Sequence, residues 1–116
     1  MDSTGRRWER RAERFLRGHG LTTIARNFSA KCGEIDLVMR DRDHVAFIEI
    51  RYGGRSRFGN AASSVTLKKQ KKIVRCAQLF LQTFPKWANN PCRFDVIAYD
   101  SDEGIGKPVW IRAAFQ

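Results

Sequence analysis

The stretch EIDLVMRDRDHVAFIEIR, residues 34–51, holds the decision about the fold. Two short runs rich in Val, Ile, Leu and Phe flank the charged triplet Asp41-Arg42-Asp43, which reads as a β-hairpin with its turn at the triplet. A turn centred there sets opposite each other residues whose numbers sum to about 84 or 85, so Asp36 faces Ile48 or Glu49. Opposed side chains have Cβ atoms about 5 Å apart, and Arg51 follows Glu49 on the same face after about 6.6 Å. A carboxylate in so apolar a strand loses hydration, and a cation, a metal or hydrogen-bond donors must compensate. Two carboxylates without a neighbouring histidine or cysteine suit a hard cation, Mg²⁺ or Mn²⁺, which keeps waters and bridges to phosphate.

Outward from the hairpin, residues 4–17 are expected to form an amphipathic helix. Trp8, Ala12, Phe15 and Leu16 make its apolar stripe, and Gly18 supplies the stop. Arg6, Arg10, Arg14 and Arg17 fall on the far side as a basic ridge, Glu9 lies at the border of the stripe, and Glu13 turns further out. LTTIARNF is a strand and SAKCG a turn; Glu34 is then a turn or strand-edge residue. Residues 66–84 form a second helix with Ile73, Ala77, Phe80, Leu81 and Phe84 on one face, closed by Pro85. Gln70 falls almost on its core line, Thr66 above it and Lys69 at the edge, in the turns where free N–H groups favour anions. CRFDVIAY is a strand; VWIRAAF is a terminal strand or helix. The order αβββαββ means an α/β protein with a mixed sheet and helices on its faces.

Composition narrows the partners. A chain of 116 residues with 42% hydrophobic content suits one globular domain. Its net charge of +10 is concentrated in RRWERRAERFLR and KKQKK, which points first to nucleic acid and second to an anionic membrane. Arg55 and Arg57 in the glycine-rich segment, and Lys68, Lys71 and Lys72 on the second helix, extend the cationic surface that Arg6, Arg10 and Arg14 begin. The segment GGRSRFGN lacks the order of a Walker loop and reads as a flap near the site. Cys32, Cys76 and Cys92 are odd in number and share no CxxC spacing, so they are expected to be reduced, mostly buried thiols. No run is long and apolar enough for a membrane span, and the protein is expected to be cytoplasmic.

One assembly of residues carries a resemblance. Thr4-Gly5, Glu9, Ala12, Leu16, Gly20, Arg26-Asn27, GEIDL at 33–37, FIEIR at 47–51, Val65-Thr66, Lys69-Gln70, Ala77 and RFDV at 93–96 resemble the bacterial YraN-type family. That family is similar to the PD-(D/E)XK nucleases, archaeal Holliday junction resolvases in particular. The resemblance implies a restriction-endonuclease-like αβββαβ core and a divalent-metal nuclease site. It assigns Glu9 as the first-helix glutamate, Asp36 and Glu49 as metal-binding carboxylates, and Lys69 and Gln70 as the polar pair of the second helix. It further implies DNA rather than RNA as substrate, and a homodimer that could present two sites to a junction. Asp95 receives no catalytic role. Where the family pattern has a lysine, this chain has Arg51, which stays protonated and cannot act as a base. Two readings therefore stand: an endonuclease in which Arg51 and Lys69 steady charge, or a catalytically silent binding module in which Arg51 closes the site. An adaptor for anionic membranes or acidic proteins is a third, weaker reading.

Overall fold

The structure is a computed structural model describing residues 4–52, 65–99 and 108–116. The expected hairpin lies at its centre. Strands β1 (Thr22–Ala30), β2 (Gly33–Asp41) and β3 (His44–Arg51) form an antiparallel meander preceded by helix α1 (Thr4–Gly18). Helix α2 (Leu67–Thr83) and a 3₁₀ turn at Pro85–Trp87 lead to β4 (Cys92–Ala98), which lies parallel to β3, and β5 (Val109–Phe115) adds antiparallel to β4. The sheet order is β1-β2-β3-β4-β5. This is the mixed sheet expected, an αβββαβ core of restriction-endonuclease-like type with one further strand; the undecided terminal segment is a strand. Parallel β3 and β4 need a long crossover, and α2 supplies it.

The two helices cover opposite faces of the sheet. Trp8, Ala12 and Leu16 recur every four residues along α1 and pack onto Leu37, Met39, Ala46, Ile48 and Ile97. Ile73, Cys76, Ala77 and Phe80 of α2 pack onto Val38, Val45, Phe47 and Val96. Each large aliphatic side chain buried this way contributes roughly 1.5–3 kcal/mol. Helix α2 begins where Thr66 accepts a hydrogen bond from the Lys69 backbone N–H at 3.1 Å, and it ends at Phe84, just before Pro85. That cap holds Lys68, Lys69 and Lys72 at the end of the sheet where β2 begins and β3 ends.

Three expectations need correction. Glu13 does not turn outward: it is buried beneath β1, where Arg26 forms an ion pair with it at 2.8 Å and the Thr23 hydroxyl donates to it. Burial alone would raise the Glu13 pKa, but the Arg26 and Thr23 hydrogen bonds and the Arg26 and Arg17 charges outweigh it and hold the carboxyl below its ordinary value. Cys32 and Cys76 are not separate thiols. The turn between β1 and β2 lies against α2, their Cα atoms are 5.8 Å apart, and they form a disulfide across 44 residues of sequence. The remaining thiol, Cys92, is exposed rather than buried.

Asp95 is fully buried and acts as a structural hub. Its carboxylate accepts from Arg93 Nε, from Trp110 Nε1 at 3.1 Å and from the Ala113 N–H at 3.0 Å. Ala113 has a left-handed backbone (φ 51°) at an irregularity in β5, and its N–H is thereby turned onto Asp95 instead of along a regular ladder. Among the described residues, no helix is long and apolar enough to cross a membrane.

Candidate functional site

The β2–β3 ladder pairs Leu37 with Ile48, a register whose continuation sets Asp36 against Glu49, one of the two alignments the turn position allowed. The carboxylates do not meet through pleating alone. Regular pairing is last seen at Leu37 and Ile48, and beyond it the Ile50 N–H donates to Asp36 Oδ2 at 2.9 Å. The Asp36 side chain thus stands between the strands and takes up a backbone donor that a ladder carbonyl would otherwise take.

From that slot Asp36 borders cavities on both faces of the sheet. On the α2 side, a cavity of about 410 Å³ is lined by Glu34, Asp36, Glu49, Thr66, Lys69 and Lys72. On the α1 side, one of about 70 Å³ is lined by Arg6, Glu9, Arg10, Asn27 and Asp36. Glu9, Glu34 and Asp36 each bring one carboxylate oxygen within 4.8 Å of the others. Three oxygen donors at that spacing can share one cation of the Mg²⁺ class. The charge state of Asp36 fits the same purpose: burial first, then the Glu49 charge, with Glu9 and Glu34 adding to it, push its carboxyl up to about 8 against the Ile50 hydrogen bond. A divalent cation would remove the repulsion that raises it.

Glu49, nearly fully buried, is neutralised differently. Lys69 Nζ lies 3.0 Å from its Oε2, and Arg51 Nη1 lies 3.8 Å from the same oxygen. Of the two cations Lys69, carried in from α2, is the closer. Arg51 makes the longer contact, and its ion pair is with Glu49.

The sequence-derived set is thus brought together in most of its members. Glu9, Asp36, Glu49, Arg51 and Lys69 surround the point where β2 and β3 part. Gln70 does not join them: its amide donates to the Val65 carbonyl at 2.9 Å and closes the first turn of α2. Lys68 and Lys72 line the α2-side cavity, and Lys71 is exposed on the same helix. Arg6 and Arg10 line the α1-side cavity and Arg14 is exposed further along α1. Arg55, Arg57 and the whole GGRSRFGN segment fall outside the described residues.

Two residues enter the site that sequence reasoning did not place there. Glu34, read as a strand-edge residue, joins the carboxylate cluster; its parity with Asp36 was the available signal. Asn27 of β1 donates its amide to Glu9 Oε1 at 2.7 Å. An asparagine in the middle of a strand, where that residue type is depleted, was the clue to it.

Comparison with known proteins places the same residues in a family frame. Residues 8–99 match the family described as Uncharacterised protein family UPF0102. A UPF0102 protein of Pseudomonas syringae pv. syringae is 50% identical over 112 residues, covering 96% of this chain and 91% of its own. One from Pseudomonas putida (strain GB-1) is 46% identical over 113 residues, with 97% and 92% covered. One from Stutzerimonas stutzeri is 45% identical over 114 residues, with 98% and 95% covered.

Proposed function

Because this chain belongs to the UPF0102 family, whose matched span contains every carboxylate of the cluster, we propose from the geometry that it is a nucleic-acid-binding, Mg²⁺-dependent endonuclease-like protein hydrolysing phosphodiester bonds. The observation that carries the reading is the convergence of Glu9, Glu34 and Asp36 oxygens within 4.8 Å beside the buried Glu49 and its partner, the exposed Lys69. Glu9, Glu34 and Asp36 would hold the cation. When bound, it supplies Lewis-acid polarisation of phosphate and acidification of a bound water.

The chain's own residues do the rest. Lys69 is held at the cavity by its contact with Glu49, where its ammonium can balance charge that grows on the phosphate oxygens. Lys68 and Lys72 on the same wall attract the polyanion and draw its backbone toward Asp36. Arg51, permanently protonated, contributes charge and no proton transfer. The resemblance drawn from the sequence favours DNA, structured or branched, over RNA.

A second reading rests on one specific observation: Glu49 already has two cationic neighbours. In that reading the protein binds nucleic acid without cutting it. Cleavage of junction, flap and single-stranded DNA, with matching RNA controls, separates the two. The wild type is expected to cut only with Mg²⁺ or Mn²⁺, and Asp36→Asn and Glu49→Gln should abolish cutting. Salt-sensitive binding with no metal-dependent cutting on any substrate would leave the binding module. Cutting that survives Asp36→Asn would remove the proposed site altogether.

A further inference from the structure

The pleats of β1 and β2 reverse together at one level, and that level contains the site; β1 alone has a further irregularity between Thr23 and Ala25. Alternate residues of a strand share a face. Arg26 of β1 and its partner Leu37 of β2 face α1: Arg26 reaches Glu13, and Leu37 packs in the α1 cluster. Two residues on, the partners Phe28 and Ile35 pack in the α2 cluster on the opposite face. Both strands therefore turn over between these pairs. The residues in the turnover are Asn27 on β1 and, opposite it, Asp36 on β2.

The cause lies on β1. Asn27 has φ 51°, a left-handed backbone within a strand, and asparagine is among the few non-glycine residues that adopt it readily. One left-handed residue rotates the rest of the strand by about half a turn relative to the pleat, and the paired β2 rotates with it. Asp36 is thereby held off either face and lies in the strand plane, where it meets the Ile50 N–H and borders both cavities. The same asparagine donates its amide to Glu9 at 2.7 Å; a carboxylate can only accept, so the nitrogen must be the partner.

We infer that Asn27 is the positioning residue of the carboxylate cluster, its left-handed backbone turning Asp36 into the slot and its amide fixing Glu9 beside it. This role rests on the metal-site reading and deepens it. Its two parts separate chemically. Glycine keeps the left-handed backbone at no steric cost and removes the amide, whereas alanine removes both. Outer hydrogen bonds to metal-binding side chains are worth about 10- to 100-fold in metal affinity.

Mn²⁺ binding to the full chain, measured by calorimetry, and thermal unfolding without metal together test it. Wild type and Asp36→Asn serve as positive and negative references for the site. Asn27→Gly should unfold near the wild-type temperature yet bind Mn²⁺ about tenfold more weakly. Asn27→Ala should lose both stability and affinity. In a Glu9→Gln background Asn27→Gly should produce no further loss of affinity, since its amide acts through Glu9. Wild-type affinity in Asn27→Gly, or an undiminished loss in the Glu9→Gln background, would overturn the positioning role while leaving the metal site standing. Absence of Mn²⁺ binding by the wild type would overturn both.

Discussion

Neutralising Asp36 should stabilise the metal-free protein, and by an amount that depends on pH. Its carboxyl is pushed up to about 8 from an ordinary 3.8, so between those values the folded chain binds more protons than the unfolded one. Metal-free stability therefore declines as pH rises through that window, the reverse of a paired carboxylate. Asp36→Asn removes the charge and keeps an oxygen to accept the Ile50 N–H. Two unit charges 4.8 Å apart repel by about 3.5 kcal/mol at an effective dielectric constant near 20. The neighbouring carboxylates, Glu49 first and then Glu9 and Glu34, are screened by Lys69, Arg51 and solvent, which leaves about 2 kcal/mol of repulsion on top of the cost of burial. For a domain of this size that is a rise of about 8 °C in Tm. Thermal unfolding followed by circular dichroism in EDTA is expected to show that rise at about pH 9 and little difference near pH 4. Millimolar Mg²⁺ should reverse the order by raising the Tm of the wild type alone. A lower Tm for Asp36→Asn in EDTA at about pH 9 would refute the repulsion on which the reasoning depends.

The scaffold can be probed in three further ways. Glu13 is held below its ordinary pKa, so its contribution is present above that value and lost as pH falls through the lowered one. Glu13→Gln should cost about 1 kcal/mol near neutral pH after screening at the exposed Arg26, and urea titrations should show the deficit closing in acid. Asp95→Ala would leave Arg93 paired with Asp41 alone and the Trp110 and Ala113 N–H donors without their acceptor, a loss of about 3 kcal/mol readable as a lower urea midpoint. Thiol titration of the denatured, unreduced protein should count one reactive cysteine, Cys92, rising to three after reduction; breaking the bridge should cost about 2–4 kcal/mol.

The site was legible wherever it depends on local periodicity. A charged turn between two apolar runs carries its register with it, so the opposition of Asp36 to Ile48 or Glu49 could be counted from Asp41-Arg42-Asp43, and the ladder selects Glu49. Helical spacing likewise put Glu9 at the border of the α1 stripe and Lys69 at the edge of α2, where each reaches the site. Periodicity misjudged Glu13 because β1 offers that carboxylate two donors, and a helical wheel of α1 contains no β1. Gln70, a polar residue on the core line of α2, has its amide satisfied by its own helix start at the Val65 carbonyl, a contact that a helical wheel does not display. The disulfide escaped because cysteine spacing along the chain says nothing about which turn docks on which helix.

What the sequence determined by itself is the set of elements apart from the type of the last, their order, the hairpin register to within one residue and the basic character of the surface, all consequences of side chains a few residues apart. Only the tertiary structure decided which carboxylates converge. That convergence arises from a reversal of the pleat at Asn27 and Asp36, and the reversal joins groups from α1, β2 and, through Lys69, α2. Alternation predicts a face only while every residue keeps a strand's handedness; one left-handed residue changes the answer for those beyond it. Neither the half-turn at Asn27 nor its contact with Glu9, eighteen positions earlier, is visible until the chain is folded.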